Sequence, residues 1–312
     1  MKTDLQLIGE ESKHIWVKFW ETVKPYRNSL WTYCLKLTGT PWDAEDLLQD
    51  TLLKSFASLS ALSHREQPLR TKSFLFRVAT NHWLDQCRRN KRYSRIEIDE
   101  THQYVVFQDT IEVNDAIFTL LHHLTPKQVV VFILVESFQF TAKEVAELLS
   151  TTEGSVNGLL NRARKKLKEL KNKKGLENGG KPLLIQTNVV ENFLQAYNRK
   201  DFKGLAALLL DNASFSFVEM NSTEYGKDTI ITYSLNPNKE RAHENITASA
   251  QILWGKQAII FIKETELGTM LFDVNTIEWE DGKVSEWKCY YFCRDFMKYA
   301  ADYLGLPLAE IE

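Results

Sequence analysis

Apolar residues recur every three or four positions along residues 12–92, and this spacing predicts a group of amphipathic helices. The period is lost over residues 93–112 and returns over residues 113–174, so we predict a linker and then a second helical group. Residues 175–187 contain three glycines and a proline, which indicates a domain boundary. Beyond it, one helical segment precedes runs in which polar and apolar residues alternate, the pattern of β-strands.

These patterns predict a multidomain protein with two all-α domains, the second a helix-turn-helix, followed by an α+β domain with a curved antiparallel sheet. The domains are expected at residues 12–95, 113–174 and 188–312. In the last domain the helices should come first and the strands after them. The sequence EDGK between two alternating runs predicts a β-hairpin.

The segment TPWDAEDLLQDTLLKSFASL predicts a helix with an apolar back and an acidic front. Thr40 is the expected N-cap and Pro41 the first helical residue. The polar face is expected to carry Glu45, Asp46, Gln49 and Asp50. Two interpretations remain open at this stage: a solvated acidic face, or a docking surface for a basic partner.

The segment FLFRVATNHWLDQCRRNKR predicts a helix that begins after an N-cap at Ser73 and continues to about Arg92. Its first half is aromatic and its second half is basic. Phosphates neutralise clustered cations, and exposed bases stack on aromatic rings, so the pairing is typical of a surface that holds opened DNA. The alternative is that Phe74, Phe76 and Trp83 belong to the core and that the cations are merely solvated.

The segment from Leu124 to Lys174 predicts three helices joined by short turns. Thr141 and Glu144 are spaced for a capping box, and Thr152 is the expected N-cap of the third helix. A short helix, a tight turn and a basic helix match the helix-turn-helix arrangement that places its last helix in the DNA major groove. The alternative is a basic coiled coil or a structural hairpin.

Charge is distributed unevenly along the chain, which has 39 Lys and Arg against 41 Asp and Glu. Residues 1–174 have a net charge of +5 and residues 175–312 a net charge of −7, so the first part is the one expected to meet nucleic acid. We see no secretory signal and no apolar run of about 18 residues, and expect a cytoplasmic protein without membrane insertion. The four cysteines have no metal-ligand spacing, so reduced buried thiols are expected, with a metal or redox site as the alternative. No metal and no cofactor are predicted.

Taken together, the three helical motifs resemble the bacterial sigma factors of RNA polymerase, in particular the compact extracytoplasmic-function type. The resemblance implies two partners, core RNA polymerase and promoter DNA. It implies that the clamp of the largest polymerase subunit is contacted by Asp46, Leu47, Gln49 and Asp50. It implies that the minus-ten element is contacted by Asn81, Trp83, Arg88, Arg89, Lys91 and Arg92, with residues 60–73 receiving a flipped base. It implies that the minus-thirty-five element is contacted by Ser155, Asn157, Arg162, Arg164 and Lys165.

The last domain resembles, more loosely, the polyketide-cyclase-like branch of the nuclear-transport-factor-like cone fold. The resemblance is carried by VVENFLQAYNRKDFKGLAALLLDNASFSF and by the hairpin TIEWEDGKVSEWKCYYF. Candidates for chemistry are His243, Asp273 and Glu278, but the aromatic residues are expected to build the cone wall and no catalytic residue is assigned. An unknown small ligand or a regulatory protein could bind this domain.

The sequence therefore predicts a sigma factor, not an enzyme, in which the C-terminal domain acts as a regulator in cis. The motivation for that role is the charge asymmetry, because an acidic domain can mask a basic DNA-facing surface. One alternative is a helix-turn-helix DNA-binding regulator that acts independently of polymerase. The other is a cone-fold isomerase or ligand-binding domain with a DNA-binding appendage.

Overall fold

The computed structural model describes residues 4–59, 70–93, 117, 120–171, 188–220, 222–236, 244–266 and 268–310. The described residues up to 171 form one compact unit, and those from 188 onward form a second. Within these residues, no helix is both long enough and apolar enough to cross a membrane.

Helices make up the regular structure described for the first unit. They are α1 (Asp4–Val23), a 3-10 turn (Lys24–Tyr26), α2 (Arg27–Thr38), α3 (Pro41–Ala57), α4 (Thr71–Tyr93), α5 (Pro126–Glu136), α6 (Ala142–Leu148) and α7 (Glu153–Lys171). The expected N-cap of α3 is confirmed, since the Asp43 backbone N–H donates to Thr40 Oγ1 at 3.1 Å. The capping box of α6 is confirmed as well, and the hydrogen bonds from Thr141 lower the pKa of the Glu144 carboxyl.

The start of α4 differs from the prediction. The helix begins at Thr71, so Ser73 lies inside its first turn and is not the N-cap. The backbone explains the difference, because the Phe74 N–H already donates to the Arg70 carbonyl at 3.0 Å. The third helix of the helix-turn-helix begins as predicted, with the Ser155 N–H donating to Thr152 Oγ1 at 3.2 Å.

An aromatic cluster joins the two helical groups of the first unit. The rings of Tyr33 on α2 and Phe76 on α4 stack with centroids 4.7 Å apart. Phe138 and Phe140, from the turn between α5 and α6, pack against Phe76 at 5.2 and 5.4 Å. Arg77 adds a polar contact by donating to the Glu147 carbonyl at 2.9 Å. The helix-turn-helix therefore packs directly against α2 and α4.

The second unit is an α+β domain built on one six-stranded sheet. Its elements are α8 (Asn188–Asn198), α9 (Phe202–Ala207), β1 (Leu209–Phe217), β2 (Ser222–Tyr225), α10 (Lys227–Tyr233), β3 (Ile246–Leu253), β4 (Lys256–Thr265), β5 (Gly268–Glu280), β6 (Lys283–Cys289) and α11 (Arg294–Leu304). The strand order is β2-β1-β6-β5-β4-β3. The α+β prediction is confirmed, and so is the hairpin at EDGK, where β5 and β6 pair antiparallel.

Two features of this unit correct the expected layout. The sheet is mixed, because β1 pairs parallel with β6 while the other neighbours are antiparallel. Helices also occur after the first strands, at α10 and α11, whereas the sequence pattern predicted helices only before the sheet.

The turn between β5 and β6 has Asp281 at φ 50° and Gly282 at φ 75°, the left-handed pair that a type I′ two-residue turn requires.

Helix α8 packs its apolar face on the sheet. Phe193 contacts Trp287 on β6 with ring centroids 5.0 Å apart, and Tyr197 contacts Phe261 on β4 at 4.7 Å. Asn198 fixes the end of the helix, since its side chain exchanges two hydrogen bonds of 2.7 and 3.0 Å with the Ala248 backbone on β3. Aromatic rings therefore fill the space between α8 and the strands, as expected for the wall of a cone.

Candidate functional site

The predicted acidic face of α3 is partly exposed. Asp46 is exposed, and Asp50 keeps about half of its side-chain surface in solvent. Glu45 departs from the prediction: it is fully buried and pairs with Arg27 at 3.3 Å. A buried carboxylate needs a partner, and α2 supplies one. The exposed acidic face is therefore narrower than the sequence pattern indicated.

Two further residues of this face have different environments. Leu47 is 1% exposed, so its side chain packs inside the unit. Gln49 is half-buried and its amide donates to Glu45 Oε1 at 2.7 Å. The polymerase contacts assigned to Leu47 and Gln49 stay predictions, and Leu47 could meet a partner only after repacking.

Helix α4 places its predicted DNA-binding residues in different surroundings. Asn81, Arg88 and Arg89 are exposed, and Arg88 is paired with Asp85 one turn earlier. Lys91 and Arg92 lie on the helix, but their side chains fall outside the described residues, as do residues 60–69 of the predicted base-receiving loop. The two cations of α4 whose side chains are described, Arg88 and Arg89, therefore face solvent.

Trp83 is buried at 7% exposure and lines a pocket of about 250 Å³. The pocket is lined by Leu37, Thr38, Trp83, Cys87, Leu121, Leu124, Pro126 and Val129. Leu121, Leu124, Pro126 and Val129 belong to the second helical group, residues 113–174, which contains the helix-turn-helix. This helix-turn-helix side of the unit therefore covers Trp83. In this conformation Trp83 is a core residue, which is the alternative given in the sequence analysis. Its contact with a base stays a prediction.

Helix α7 separates an apolar stripe from a polar and basic face. Val156, Leu160 and Ala163 are buried, as predicted for the stripe. All five predicted DNA contacts on this helix are exposed: Ser155, Asn157, Arg162, Arg164 and Lys165. Arg164 also pairs with Glu136 on α5, its Nε lying 2.8 Å from Glu136 Oε1, so it stabilises the packing of α7 on α5 as well.

The second unit contains a buried polar group among its aromatic residues. Asp273 on β5 is 7% exposed and accepts hydrogen bonds from the Asn275 amide at 2.6 Å and the Cys289 thiol at 3.2 Å. Trp287 in turn donates to Asn275 Oδ1 at 2.5 Å. Burial, only partly offset by these hydrogen bonds, raises the pKa of Asp273 to about 7.

The other two candidates for chemistry are not brought to Asp273. Glu278 is exposed, and its Oε1 lies 3.8 Å from Lys256 Nζ. It is an odd number of residues from Asp273 along β5, so the two side chains are on opposite faces of the strand. His243 lies outside the described residues. Asn275 and Cys289, the actual neighbours of Asp273, were missed by the sequence analysis, although the strand alternation of residues 273 and 275 could have indicated Asn275.

All four cysteines carry free thiols, as expected for reduced residues. Cys34, Cys289 and Cys293 are buried, and Cys87 is partly exposed. Burial raises the pKa of the Cys34 and Cys289 thiols, so neither is poised to react as a thiolate.

Two segments of the first unit match known protein families. Residues 22–93 match Sigma-70 region 2, and residues 114–167 match Sigma-70, region 4. The first match contains α2, α3 and α4, and the second contains α5, α6 and most of α7. The exposed carboxylates of α3 and the cations of α4 thus fall in region 2, and those of α7 in region 4.

Similar proteins include the ECF RNA polymerase sigma factor SigG of Mycobacterium tuberculosis, which is 25% identical over 238 residues. That alignment covers 67% of this chain and 64% of the relative, so the chain spans a little under two thirds of the relative's length.

Solved structures similar to this chain include two that match different extents of it. The extracytoplasmic function sigma factor SigJ of Mycobacterium tuberculosis matches with 20% identity and a TM-score of 0.34, over 91% of this chain and 98% of that chain. An NTF-2 like protein of unknown function from Burkholderia xenovorans matches with 13% identity and a TM-score of 0.27, over 33% of this chain and 79% of that chain.

The two family matches occur in the order that the sequence motifs predicted and include each of the three helical motifs. The resemblance drawn from those motifs is therefore confirmed. This chain therefore matches Sigma-70 region 2 and then Sigma-70, region 4, and it is similar to ECF RNA polymerase sigma factors.

Proposed function

We propose that this chain is a sigma factor that binds core RNA polymerase in the cytoplasm and directs it to promoter DNA. The observation that carries the proposal is the combination of the Sigma-70 region 2 and region 4 matches with exposed carboxylates on α3 and exposed cations on α4 and α7. A DNA-binding regulator that acts without polymerase would need the cations but not the carboxylates of α3.

The proposed roles of the site residues follow their charge: the carboxylates contact polymerase and the cations contact DNA. Asp46 and Asp50 attract a basic surface of the polymerase, where complementary charge raises the association rate and selects the partner. Arg88, Arg89 and Lys165 contact phosphates, which fixes the register on the duplex without reading sequence. Ser155, Asn157 and Arg162, which are exposed on α7, are proposed to read base edges in the major groove.

Trp83 is proposed to hold an opened base near the minus-ten element. Its ring is covered by residues of the helix-turn-helix side, so this role requires that side to move away when the complex forms. The chain supplies promoter choice and strand opening, while the polymerase supplies the active site. We therefore assign no reaction to this chain.

The proposal is tested by run-off transcription of fragmented genomic DNA with purified core polymerase, with and without the full-length chain. New transcripts that begin at defined positions only when the chain is present would support it. Failure to bind core polymerase, together with promoter-independent DNA binding, would instead favour the independent regulator.

Replacing Lys165 with Ala is expected to weaken promoter-duplex binding by a similar factor for matched and mismatched sequences. An exposed lysine that contacts a phosphate releases about one counterion, so the slope of log K against log salt should decrease by about 1. Fluorescence anisotropy at several salt concentrations measures both quantities. Lys203→Ala, an exposed lysine on α9, is the control, and an unchanged slope for Lys165→Ala would contradict the prediction.

The C-terminal domain is proposed to regulate the sigma factor in cis. Residues 175–312 have a net charge of −7, opposite in sign to the +5 of the DNA-facing part. We expect deletion of residues 176–312 to change promoter-dependent transcription with core polymerase, and an increase would identify the domain as an inhibitor. Equal output from the full-length and shortened chains, at equal polymerase occupancy, would count against regulation.

A further inference from the structure

His82 lies between Asn81 and Trp83 on α4, and its imidazole is buried against α3. The residue is 8% exposed, and its Nε2 lies 2.7 Å from Asp50 Oδ2. Its Nδ1 contacts the ammonium group of Lys54, one turn after Asp50 on α3. The ring is therefore held between the two charged groups of one helix.

The chemistry of the two neighbours fixes the direction of the hydrogen bonds. An ammonium group can only donate, so Nδ1 of His82 accepts from Lys54, and the ring proton lies on Nε2. Nε2–H then donates to the Asp50 carboxylate, which gives a charge-assisted bond of the expected short length. The side-chain amide of Gln86, one turn further along α4, also lies 3.2 Å from Nε2. Lys54, His82 and Asp50 form a directed chain that crosses from α3 to α4 and back.

This chain bears directly on the acidic face. Asp50 keeps about half of its side-chain surface in solvent, so a partner can still reach its carboxylate. An exposed side chain loses rotamer entropy when a partner immobilises it, and a side chain that is already held loses less. The hydrogen bond from His82 thus prepares Asp50 for binding.

We propose that His82 is a positioning residue that holds the Asp50 carboxylate for the polymerase and ties the docking helix α3 to the DNA-facing helix α4. The inference rests on the proposed sigma-factor function. It extends that function by adding a residue that does not itself meet polymerase or DNA.

Binding of the labelled full-length chain to purified core polymerase tests the inference. His82→Leu removes the donor, and we expect about five- to tenfold weaker binding, since the entropy cost of immobilising one free side chain at an interface is of this size. His82→Gln keeps an N–H that can reach Asp50 and should bind within about twofold of the wild type. If His82→Leu alters the helical circular dichroism, His82→Phe is used in its place, because it keeps a ring of similar volume without the donor.

A double-mutant cycle separates positioning from packing. Asp50→Asn weakens the acidic contact, and adding His82→Leu to it should cause little further loss, because the two residues act through one contact. His14→Leu, at an exposed position on α1, is the matched control and should bind like the wild type.

The outcomes distinguish this inference from the proposed function. If the wild type does not bind core polymerase, the proposed function fails. If it binds but His82→Leu binds equally well, positioning by His82 is overturned. Equal weakening by the Leu and Gln variants, or additive losses in the cycle, would reduce His82 to a packing residue and also overturn the inference.

Discussion

The double charge reversal Asp46→Lys and Asp50→Lys is expected to weaken binding to core RNA polymerase by at least about a hundredfold. Each substitution removes an attraction and places a cation against a basic surface, and like charges across an interface cost several kcal/mol. Asp46 is exposed, whereas Asp50 is half-exposed and accepts the hydrogen bond from His82, so the double variant also loses this tie between α3 and α4. Co-purification and anisotropy titration with core polymerase measure the effect.

A matched control carries the same change of charge at another place. Glu11→Lys with Glu21→Lys alters two exposed residues of α1 and should bind polymerase like the wild type. Circular dichroism at the binding temperature should show the same helix content for the wild type and both double variants, although the Asp46 and Asp50 variant, which loses the His82 hydrogen bond, should melt at a lower temperature. Equal affinities for the two double variants would mean that α3 is not the docking helix.

Features set by neighbours in sequence were predictable. The caps at Thr40, Thr141 and Thr152 follow from hydrogen bonds that span three residues, so the local sequence is enough to identify them. The buried stripe of α7 follows from helical periodicity in the same way. The predicted start of α4, at Phe74 after Ser73, is late by three residues, because helix ends depend on the backbone as well as on the side chain.

Features set by distant residues were not predictable from the pattern. Glu45 lies on the polar side of its helix by sequence but is buried by Arg27, which is 18 residues away. His82 and Asp50 are 32 residues apart, and nothing in either segment alone indicates their hydrogen bond. Trp83 gives the same lesson, since the residues that cover it come from the helix-turn-helix side of the unit.

The sheet illustrates the same limit at the level of strands. Alternation of polar and apolar residues identifies a strand and its faces, but it does not specify the partner or its direction. The turn at Asp281 and Gly282 fixed the antiparallel pairing of β5 with β6. Strands β1 and β6 are far apart in the chain, so their parallel pairing had no local signal.

The stability of the second unit is expected to depend on pH through Asp273. Burial raises the pKa of this carboxyl from its ordinary value of 3.8 to about 7, while in the unfolded chain it returns to the ordinary value. Between these two pH values the folded unit therefore binds more protons than the unfolded chain. Stability must then fall as the pH rises through this window and level off above about pH 7.

The expected loss is on the order of 4 kcal/mol between pH 4 and pH 8, because each pH unit in the window costs about 1.4 kcal/mol. Asp273→Asn cannot ionise and should remove most of this dependence, making the unit more stable than the wild type at pH 8. Glu278→Gln, at an exposed carboxylate on the same strand, should leave it unchanged. Urea titrations at several pH values, read by hydrogen exchange on peptides from β5 and β6, report this unit separately.

The contrary outcome is that the difference in free energy of unfolding between the wild type and Asp273→Asn is the same at pH 5 and at pH 8. That result would show that the carboxyl stays ionised in the fold. The buried hydrogen bonds from Asn275 and Cys289 would then outweigh the cost of burial.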